Sequence, residues 1–483
     1  MEELTTEERV TRLVLLLVIL AVFLLIPLRI IAYGFLPPDD VLRHTAFAVV
    51  NRQWGDVMLI DPRLPASMDL HPTWHALLRA LHDLLQWDQG VLLTVCIVLA
   101  FWTFAFAGII ASGHPAAWLL ACGLMGVLEP TLFGKLLLGR PLFFSMSAIM
   151  VLLFVWTRRE PLRRPIEIGV AFAAVLASIS MHPASWYLWL VVVPPLVVCR
   201  SWRALGTFAA GWGLALVATT ALNGWYRAIV LPVEILRMAL LQGGTLVLNL
   251  ATENQPTGGP VFGLIGMVLI LLARKSAGRD LREALLAPDF ALVITAWILG
   301  MYVGRFWIEW GLPAMAVWYT RQLADGLASG QLVRYHRQGD LILVTAASAA
   351  FYLGQTADVG GRYTNALRNP LMTAPIAEFV ADLPDRGGVL YSTDMGLFYT
   401  LFHRLPNAPF KYSTAWEPGV MPADDLKTFR TIQNSGLVRD YAPWFNKMTP
   451  ADRVLLRNST EPEWPGMEFK PFYGSWLGRK VTP

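Results

Sequence analysis

Long apolar segments recur along this chain up to residue 357, and they constrain its fold more than any other feature. Many approach the ~20 residues that an α-helix needs to cross a lipid bilayer. Only 15% of the residues are charged, whereas soluble domains carry about 25%. The mean hydropathy is +0.48. The sequence therefore predicts a polytopic α-helical membrane protein.

We expect about eleven transmembrane helices, and the charges of the loops predict their orientation. The predicted spans are 12–35, 91–112, 115–130, 142–157, 166–182, 185–199, 204–222, 260–273, 290–304, 310–325 and 340–356. Basic residues cluster around Arg158, Arg200, Arg274 and Arg334, and such loops face the cytoplasm. An odd number of spans then places the N-terminus in the cytoplasm and the C-terminus outside. The first run is too long for a signal peptide, so we expect a retained span.

Regions on the outer face are predicted to fold separately from the spans. Residues 36–90 form the first outer loop, where HPTWHALLRALHDLLQW predicts an amphipathic surface helix with Trp74 on its apolar side and His75 on its polar side. Residues 223–259 form a second outer segment with another interfacial candidate. Residues 358–483 regain charges, prolines and turn residues, which predicts a small soluble α/β domain.

The chain thus divides into a transmembrane domain at 1–357, which includes the first outer loop, and the outer domain that follows. Cys96, Cys122 and Cys199 all lie in apolar runs, so neither a disulfide framework nor a zinc site is indicated. The net charge of +4 is modest. Because the basic residues lie in short loops, they indicate topology, and no nucleic-acid partner is expected.

The segment PPDDVLRH places two adjacent carboxylates, Asp39 and Asp40, after the first predicted span. One interpretation is structural, because aspartate commonly caps the helix that follows it. The other is catalytic: Asp40 is a general base for an acceptor hydroxyl, and Asp39 orients it or shares a divalent cation such as Mg²⁺ or Mn²⁺. In a helix that begins at Asp40, Arg43 and His44 share its face, so we expect both to line the same cavity.

The segment DLHPTWH contributes a second group of polar residues, Asp69, His71 and His75. The two histidines are spaced to bind one metal ion from one helix face, but no further ligand motif supports that reading. Pro72 favours a helix start at this point. We therefore take His71 as a second catalytic candidate that faces the outer cavity, with Asp69 beside it.

Cations on the outer side are candidates for binding phosphate. Lys135 and Arg140 lie in GKLLLGRP, between the third and fourth spans; they either snorkel to lipid head groups or bind phosphate oxygens, which suits the planar arginine side chain. Arg305 lies in GRFWIEWG and either pairs with Glu309 or acts as a second phosphate ligand. His182, in SMHPASWY, is expected to line the same outer cavity.

All of these candidates are predicted to lie on one face of the membrane, with Trp307 and Trp310 at the interface. No charge is placed in the middle of a span in the pattern of a proton relay or an ion pathway. The combination favours an enzyme that works at the outer membrane surface.

The sequence resembles the GT-C superfamily of polytopic glycosyltransferases, which take a sugar from a polyprenyl-phosphate carrier on the outer face. The resemblance rests on PPDDVLRH, DLHPTWHALLRAL, LLGRPLFFSMSAIMVLLF and MHPASWYLWLVVVPPLVV. The segment VLYSTDMGLFYTLFHRLP resembles the small outer α/β domain that many members append. The WWD-type motif of oligosaccharyltransferases is missing, which leaves the acceptor open.

The resemblance implies a role for each matched residue. Asp40, or else Asp39, is the catalytic base or a metal ligand, and His71 belongs to the HP-type element after the loop. Arg140 and Arg305 lie near the carrier phosphate. The implied reaction is a single displacement that inverts the anomeric configuration, with a glycan, lipid or protein as acceptor.

Two other classes of function compete with this one. A transporter or flippase of lipid-linked glycans would carry required polar residues inside the bundle and inverted repeats, and neither is clear in the sequence. A non-catalytic assembly component would tolerate loss of Asp39 and Asp40. We expect the protein in the inner, or cytoplasmic, membrane of a bacterium.

Overall fold

The structure is a computed structural model that describes residues 6–37, 39–182, 186–234, 237, 257, 261–328, 338–414 and 418–481. The α-helices in chain order are α1 (Thr6–Ala32), α2 (Val41–Ala48), α3 (Trp54–Val57), α4 (Pro72–Leu85), α5 (Gln89–Ser112), α6 (Pro115–Leu128), α7 (Thr131–Leu136), α8 (Leu142–Trp156), α9 (Arg164–Met181), α10 (Val193–Val198), α11 (Trp202–Asn223), α12 (Val261–Ser276), α13 (Arg282–Leu285), α14 (Pro288–Gly300), α15 (Gly304–Phe306), α16 (Leu312–Ala328), α17 (Gln338–Thr356), α18 (Pro370–Thr373), α19 (Ile376–Phe379), α20 (Met395–Arg404), α21 (Ala423–Ser435) and α22 (Ala442–Lys447). Short 3₁₀ or π-helical segments are Leu188–Val192, Tyr226–Val230, Trp307–Gly311, Val359–Gly361, Asn365–Arg368, Val380–Asp382, Pro418–Val420 and Val438–Tyr441. Of the interfacial candidate predicted within 223–259, the structure describes residues 225–234 and 237, and the other residues of that candidate lie outside the described part of the chain.

The apolar segments of the sequence coincide with helices. The predicted span 185–199 corresponds to a 3₁₀ segment followed by the short helix α10, and each of the others corresponds to one α-helix. Among the described residues, four helices are long and apolar enough to cross a membrane: Arg9–Ala32, Gln89–Ser112, Arg164–Met181 and Trp202–Asn223. Shorter apolar helices accompany them. The expected multi-pass helical architecture is confirmed, whereas the number of eleven spans stays a prediction.

The chain forms two compact units, and the first contains most of the apolar helices. It comprises Met1–Tyr33, Thr94–Val230 and Thr252–Gly360. Its helices α9 and α11 pack so closely that a Cβ on Gly211 would lie 2.6 Å from the Cβ of Ala171. Small residues at such crossings let helix backbones approach in a membrane. The buried indole N–H groups of Trp118 and Trp318 each donate to a backbone carbonyl, so this core leaves them satisfied.

The second unit comprises Gly34–Leu93, Leu231–Ala251 and Gly361–Pro483. Its sheet contains β1 (Val389–Tyr391), β2 (Lys411–Tyr412), β3 (Arg453–Leu456), β4 (Met467–Phe472) and β5 (Ser475–Lys480), in the order β2-β1-β3-β5-β4. Strand β1 is parallel to β2 and β3, whereas β5 is antiparallel to β3 and β4. Tyr473 and Gly474 join β4 to β5 with φ values of 45° and 79°, because a two-residue hairpin favours positive φ at both positions.

The first outer loop belongs to this second unit and adds to its sheet. Met58 forms a parallel bridge with Tyr412 of β2, and the N–H of Leu59 donates to the Tyr412 carbonyl at 2.8 Å. Lys411 donates to the carbonyl of Gly55 at 2.6 Å. The sheet agrees with the α/β domain expected after residue 357. The contacts group the loop with that domain, and the two-domain division predicted from composition stays a prediction.

Candidate functional site

The carboxylate pair lies at the start of α2, where Asp40 is the N-cap residue. Its side chain makes no capping hydrogen bond; it accepts one from Nε of Arg43 at 2.9 Å. Asp39 accepts a hydrogen bond from the backbone N–H of Asp40. The side chain of Arg43 is 3% exposed and that of Asp40 is 14% exposed. Capping therefore does not account for Asp40, whose carboxylate is engaged with a buried guanidinium.

A chain of hydrogen bonds runs beside this pair, from Asp69 through His75 to His44. Nδ1 of His75 lies 2.8 and 2.9 Å from the two oxygens of Asp69. On the other side of the same ring, Nε2 lies 2.7 Å from Nδ1 of His44. His44 is 1% exposed and His75 is 4% exposed. We call these three residues the Asp69 relay.

The position of His75 differs from the one predicted from helical periodicity. The buried residues of α4 are Trp74, His75 and Leu78, so His75 faces the protein and not water. The reason is that α2 packs against α4 and supplies a polar partner, His44, at this point. The amphipathic pattern identified the helix correctly but assigned this side chain to the wrong surroundings.

His71 is the N-cap residue of α4 and lies against the relay. Its ring packs edge-on against that of His44, with centroids 4.7 Å apart. Its backbone N–H donates to Asp69 at 2.9 Å. The structure thus brings His71, Asp69 and His44 together, and the outer cavity that the sequence predicts for them stays a prediction.

The electrostatics of Asp69 follow from these contacts. Burial by itself raises the pKa of its carboxyl group, but the charge and hydrogen bond of His75, the N–H of His71 and the charge of Arg43 outweigh burial and lower the pKa. Asp69 is therefore held as a carboxylate, and it stabilises positive charge on the histidine beside it.

His403 on α20 was not singled out from the sequence, although it lies in the segment VLYSTDMGLFYTLFHRLP that resembles the small outer domain. Its Nδ1 lies 3.3 Å from the hydroxyl of Thr45 on α2. Burial lowers its pKa to about 4, although the Leu42 carbonyl and Asp88 oppose this shift and Arg404 adds to it. His403 is thus neutral at physiological pH.

The other candidates lie in the first unit, where Arg305 is the centre of a second cluster. Its guanidinium forms a salt bridge with Glu309, which is 1% exposed, and Nη2 lies 3.0 Å from Nε2 of His182. The sequence placed His182 at the outer end of one span and Arg305 with Glu309 at the outer end of another, and the structure brings the three residues together. The observed ion pair agrees with the structural interpretation, in which Arg305 simply pairs with Glu309. Phosphate binding by Arg305 stays a prediction.

Two tryptophans beside this cluster are buried in the protein. Trp307 is 3% exposed and Trp310 is fully buried. The ring of Trp310 packs edge-on against Trp189 with centroids 4.6 Å apart, a contact that aromatic rings prefer. Their predicted position at the level of the membrane interface stays a prediction.

Lys135 lies in the last turn of α7, and Arg140 lies just before α8. Both side chains are half-buried. Gly139 turns the chain between them with a φ of 62°, and a Cβ there would lie 3.1 Å from Cys96 of α5. This close packing fixes the backbone that presents Arg140.

No group of three or more His, Cys, Asp or Glu residues in the described part of the chain is arranged to hold a metal ion. The Arg43 guanidinium already occupies the Asp40 carboxylate. His75 is bonded to Asp69 and His44, which excludes it as a joint ligand with His71 in this arrangement. The described residues therefore show no built cation site at the carboxylate pair; a divalent cation there stays a prediction, and we derive no chemistry through one.

Comparisons with known proteins place this geometry in a fold. No protein-family model matches the sequence, and no curated protein matches it either. Among solved structures, ArnT from Cupriavidus metallidurans bound to undecaprenyl phosphate aligns with a TM-score of 0.59 and 15% identity, over 98% of this chain and 99% of that one. Its apo structure aligns with a TM-score of 0.59 and 16% identity, over 98% of both chains.

A third structure, an oligosaccharyltransferase from Archaeoglobus fulgidus tethered to an acceptor peptide, aligns with a TM-score of 0.46 and 12% identity, over 90% of this chain and 68% of that one. The two ArnT structures each align with 98% of this chain. These alignments show the fold of the chain, which agrees with the resemblance that the sequence motifs indicated. The chain has an ArnT-like membrane fold.

Proposed function

We propose that this protein is a GT-C-type glycosyltransferase that moves a sugar from a polyprenyl-phosphate carrier to an acceptor hydroxyl. The observation that carries the proposal is the alignment with ArnT over nearly the full length of both chains, in a structure bound to undecaprenyl phosphate. We assign this chain a carrier of the same chemistry, an isoprenoid chain that ends in a phosphate. The acceptor is a lipid-linked glycan, a cell-surface polysaccharide or a protein.

On the acceptor side, we assign the proton transfer to the start of α2. Asp40 is the proposed base, and Asp39 and His71 are the candidates beside it. The salt bridge to Arg43 favours an ionised Asp40, which is the form that accepts a proton. A carboxylate that is ready to accept a proton suits a reaction in which the acceptor hydroxyl becomes the nucleophile.

On the donor side, we assign the leaving phosphate to Arg140 and Arg305, with Lys135 as a further cation. Negative charge grows on the phosphate as the sugar departs, and fixed cations stabilise that charge. His182 and Glu309 contact Arg305 and would hold its guanidinium in place. A direct displacement of this kind inverts the anomeric configuration.

A divalent cation, Mg²⁺ or Mn²⁺, stays a prediction for this protein. The same holds for its place in a bacterial inner membrane and for the position of its termini, with the N-terminus in the cytoplasm and the C-terminal domain outside. Membrane lipids are the expected surroundings of the apolar helices.

Sugar transfer by the purified protein tests the proposal. Radiolabelled polyprenyl-phosphate sugars are supplied with a membrane extract as the source of acceptor, with and without EDTA. We expect transfer by the wild type and a loss of at least ~100-fold in Asp40→Asn, the range that a general base contributes. Asp83→Asn is the matched control, because Asp83 is an exposed carboxylate of the same loop.

Each result of this transfer assay has a distinct interpretation. Transfer that Asp40→Asn retains would reject Asp40 as the base and direct attention to Asp39 and His71. Loss of transfer in EDTA would require a cation. A wild-type protein that moves intact lipid-linked glycans between leaflets, without forming a new glycosidic bond, would favour the flippase over the enzyme.

A further inference from the structure

The Asp69 relay is a feature that the proposed reaction leaves without a role. Two imidazoles in direct hydrogen-bond contact, with a carboxylate behind them, form an ordered path for a proton. We propose that the relay receives the acceptor proton from Asp40, so that His44 is the proton acceptor and His75 and Asp69 are positioning residues that act through it. This inference rests on the proposed glycosyl transfer and names the destination of its proton.

The hydrogen-bond directions follow from the chemistry of the three groups. A carboxylate only accepts hydrogen bonds, so His75 donates its Nδ1–H to Asp69. If His75 is neutral, its Nε2 carries a lone pair and accepts the Nδ1–H of His44 across 2.7 Å. His44 then carries its own lone pair on Nε2. The relay therefore fixes the tautomer that leaves His44 able to accept a proton.

The start of α2 carries both Asp40 and His44. The N–H of His44 donates to the carbonyl of Asp40 at 3.0 Å, and the two residues are four apart on one helix. Side chains at this spacing lie on the same face. Asp40 is 14% exposed and His44 is 1% exposed, so the carboxylate is the more accessible of the two to an acceptor hydroxyl.

The step balances as a sequence of proton transfers. The acceptor O–H bond breaks and an O–H bond forms on Asp40. That bond then breaks as an N–H bond forms at Nε2 of His44. The Nδ1–H bond of His44 breaks as an N–H bond forms at Nε2 of His75. The acceptor oxygen keeps the electron pair with which it attacks the sugar, and the positive charge comes to rest on His75, against the Asp69 carboxylate.

The charges around the relay favour this direction. Arg43 lies beside Asp40 and disfavours a lasting proton on that carboxylate. Asp69 stabilises the cation on His75. The other titratable groups described around α2 and α4 include His71, whose ring lies against His44, and His403 of α20, which is kept neutral by burial. Arg79 of α4 donates from its guanidinium to the carbonyls of Phe47 and Val50, at the far end of α2. His403 therefore adds no positive charge beside the relay, and the Arg79 charge is turned towards those carbonyls.

A purely structural role is the competing reading, since the relay also ties α2 to α4. The two readings differ in what they affect. A tie between helices changes stability, whereas a proton path changes kcat and its dependence on pH. The variants Asp69→Asn and His75→Gln preserve side-chain size. His82→Gln is the matched control, because His82 lies on the same helix and its Nδ1 bonds outside the relay, to the carbonyl of Trp87.

We expect Asp69→Asn and His75→Gln to lower kcat for sugar transfer by about 10- to 100-fold, with little change in KM for the carrier. Asp69→Asn removes the charge that stabilises the protonated relay, so the acidic limb of the kcat profile moves to lower pH. We expect His82→Gln to leave both kcat and its pH profile unchanged. An active protein whose kcat and pH profile do not change in Asp69→Asn overturns the relay but not the glycosyltransferase.

A spectroscopic measurement separates the relay from the activity. In protein labelled with ¹⁵N-histidine, we expect a downfield imidazole N–H resonance that disappears in Asp69→Asn and in His44→Gln and remains in His82→Gln. If the wild type lacks this resonance, the relay is wrong, whether or not the protein transfers sugar. A wild type that shows the resonance but transfers no sugar from any carrier overturns the proposed function, and the role in proton transfer with it.

Discussion

At the scale of the residue, the pair of Arg43 and Asp40 is the contact whose loss is expected to cost most. Arg43 is 3% exposed and lies over the ring of Trp54, 5.8 Å from its centroid. Arg43→Gln leaves the Asp40 charge in a largely buried site without its partner, which typically costs about 3 kcal/mol. We expect a corresponding fall in the free energy of unfolding, measured by denaturant titration in detergent.

The matched control for Arg43→Gln is Arg63→Gln in the same loop. Arg63 also pairs with an aspartate, Asp61, but its side chain is 80% exposed, and exposed pairs contribute little to stability because water screens them. Equal losses in the two variants would contradict the buried character of the Arg43 pair.

At the scale of the element, the packing of α20 on α2 makes stability depend on pH. Burial lowers the pKa of His403 from 6.5 to about 4. Between these two pH values the unfolded chain binds a proton on this histidine and the folded chain does not. Stability is then complete above pH 6.5 and is lost as the pH falls towards 4, by on the order of 3 kcal/mol. Denaturant midpoints measured across this range are expected to fall in the wild type and to stay flatter in His403→Gln. Parallel curves would assign the acid sensitivity to other groups.

The helices could be predicted from the sequence, whereas the contacts between them could not. The apolar runs predicted the helices because a bilayer buries each segment by its own composition. The relay could not be predicted in the same way, since His44 and His75 are 31 residues apart and meet only through the packing of α2 on α4. The motif around Asp39 and Asp40 predicted where α2 begins. It did not predict the salt bridge between Asp40 and Arg43.

At the scale of the whole molecule, the predicted topology is testable by labelling. In a variant whose native cysteines are replaced, Glu463→Cys places a thiol on an exposed loop of the C-terminal domain, and Arg158→Cys places one in a basic loop. We expect a membrane-impermeant maleimide to label Glu463→Cys in intact spheroplasts and Arg158→Cys only after permeabilisation. The reverse pattern would invert the topology derived from the basic loops.

The bridge between Met58 and Tyr412 has a consequence for how the protein is made. Lys411 donates to Gly55, 356 residues earlier in the chain, so the strand that completes the first outer loop leaves the ribosome long after the loop itself. The segment that carries Asp40 is therefore synthesised well before the part of the chain that it packs against. A nascent or truncated protein would therefore lack the finished surroundings of α2.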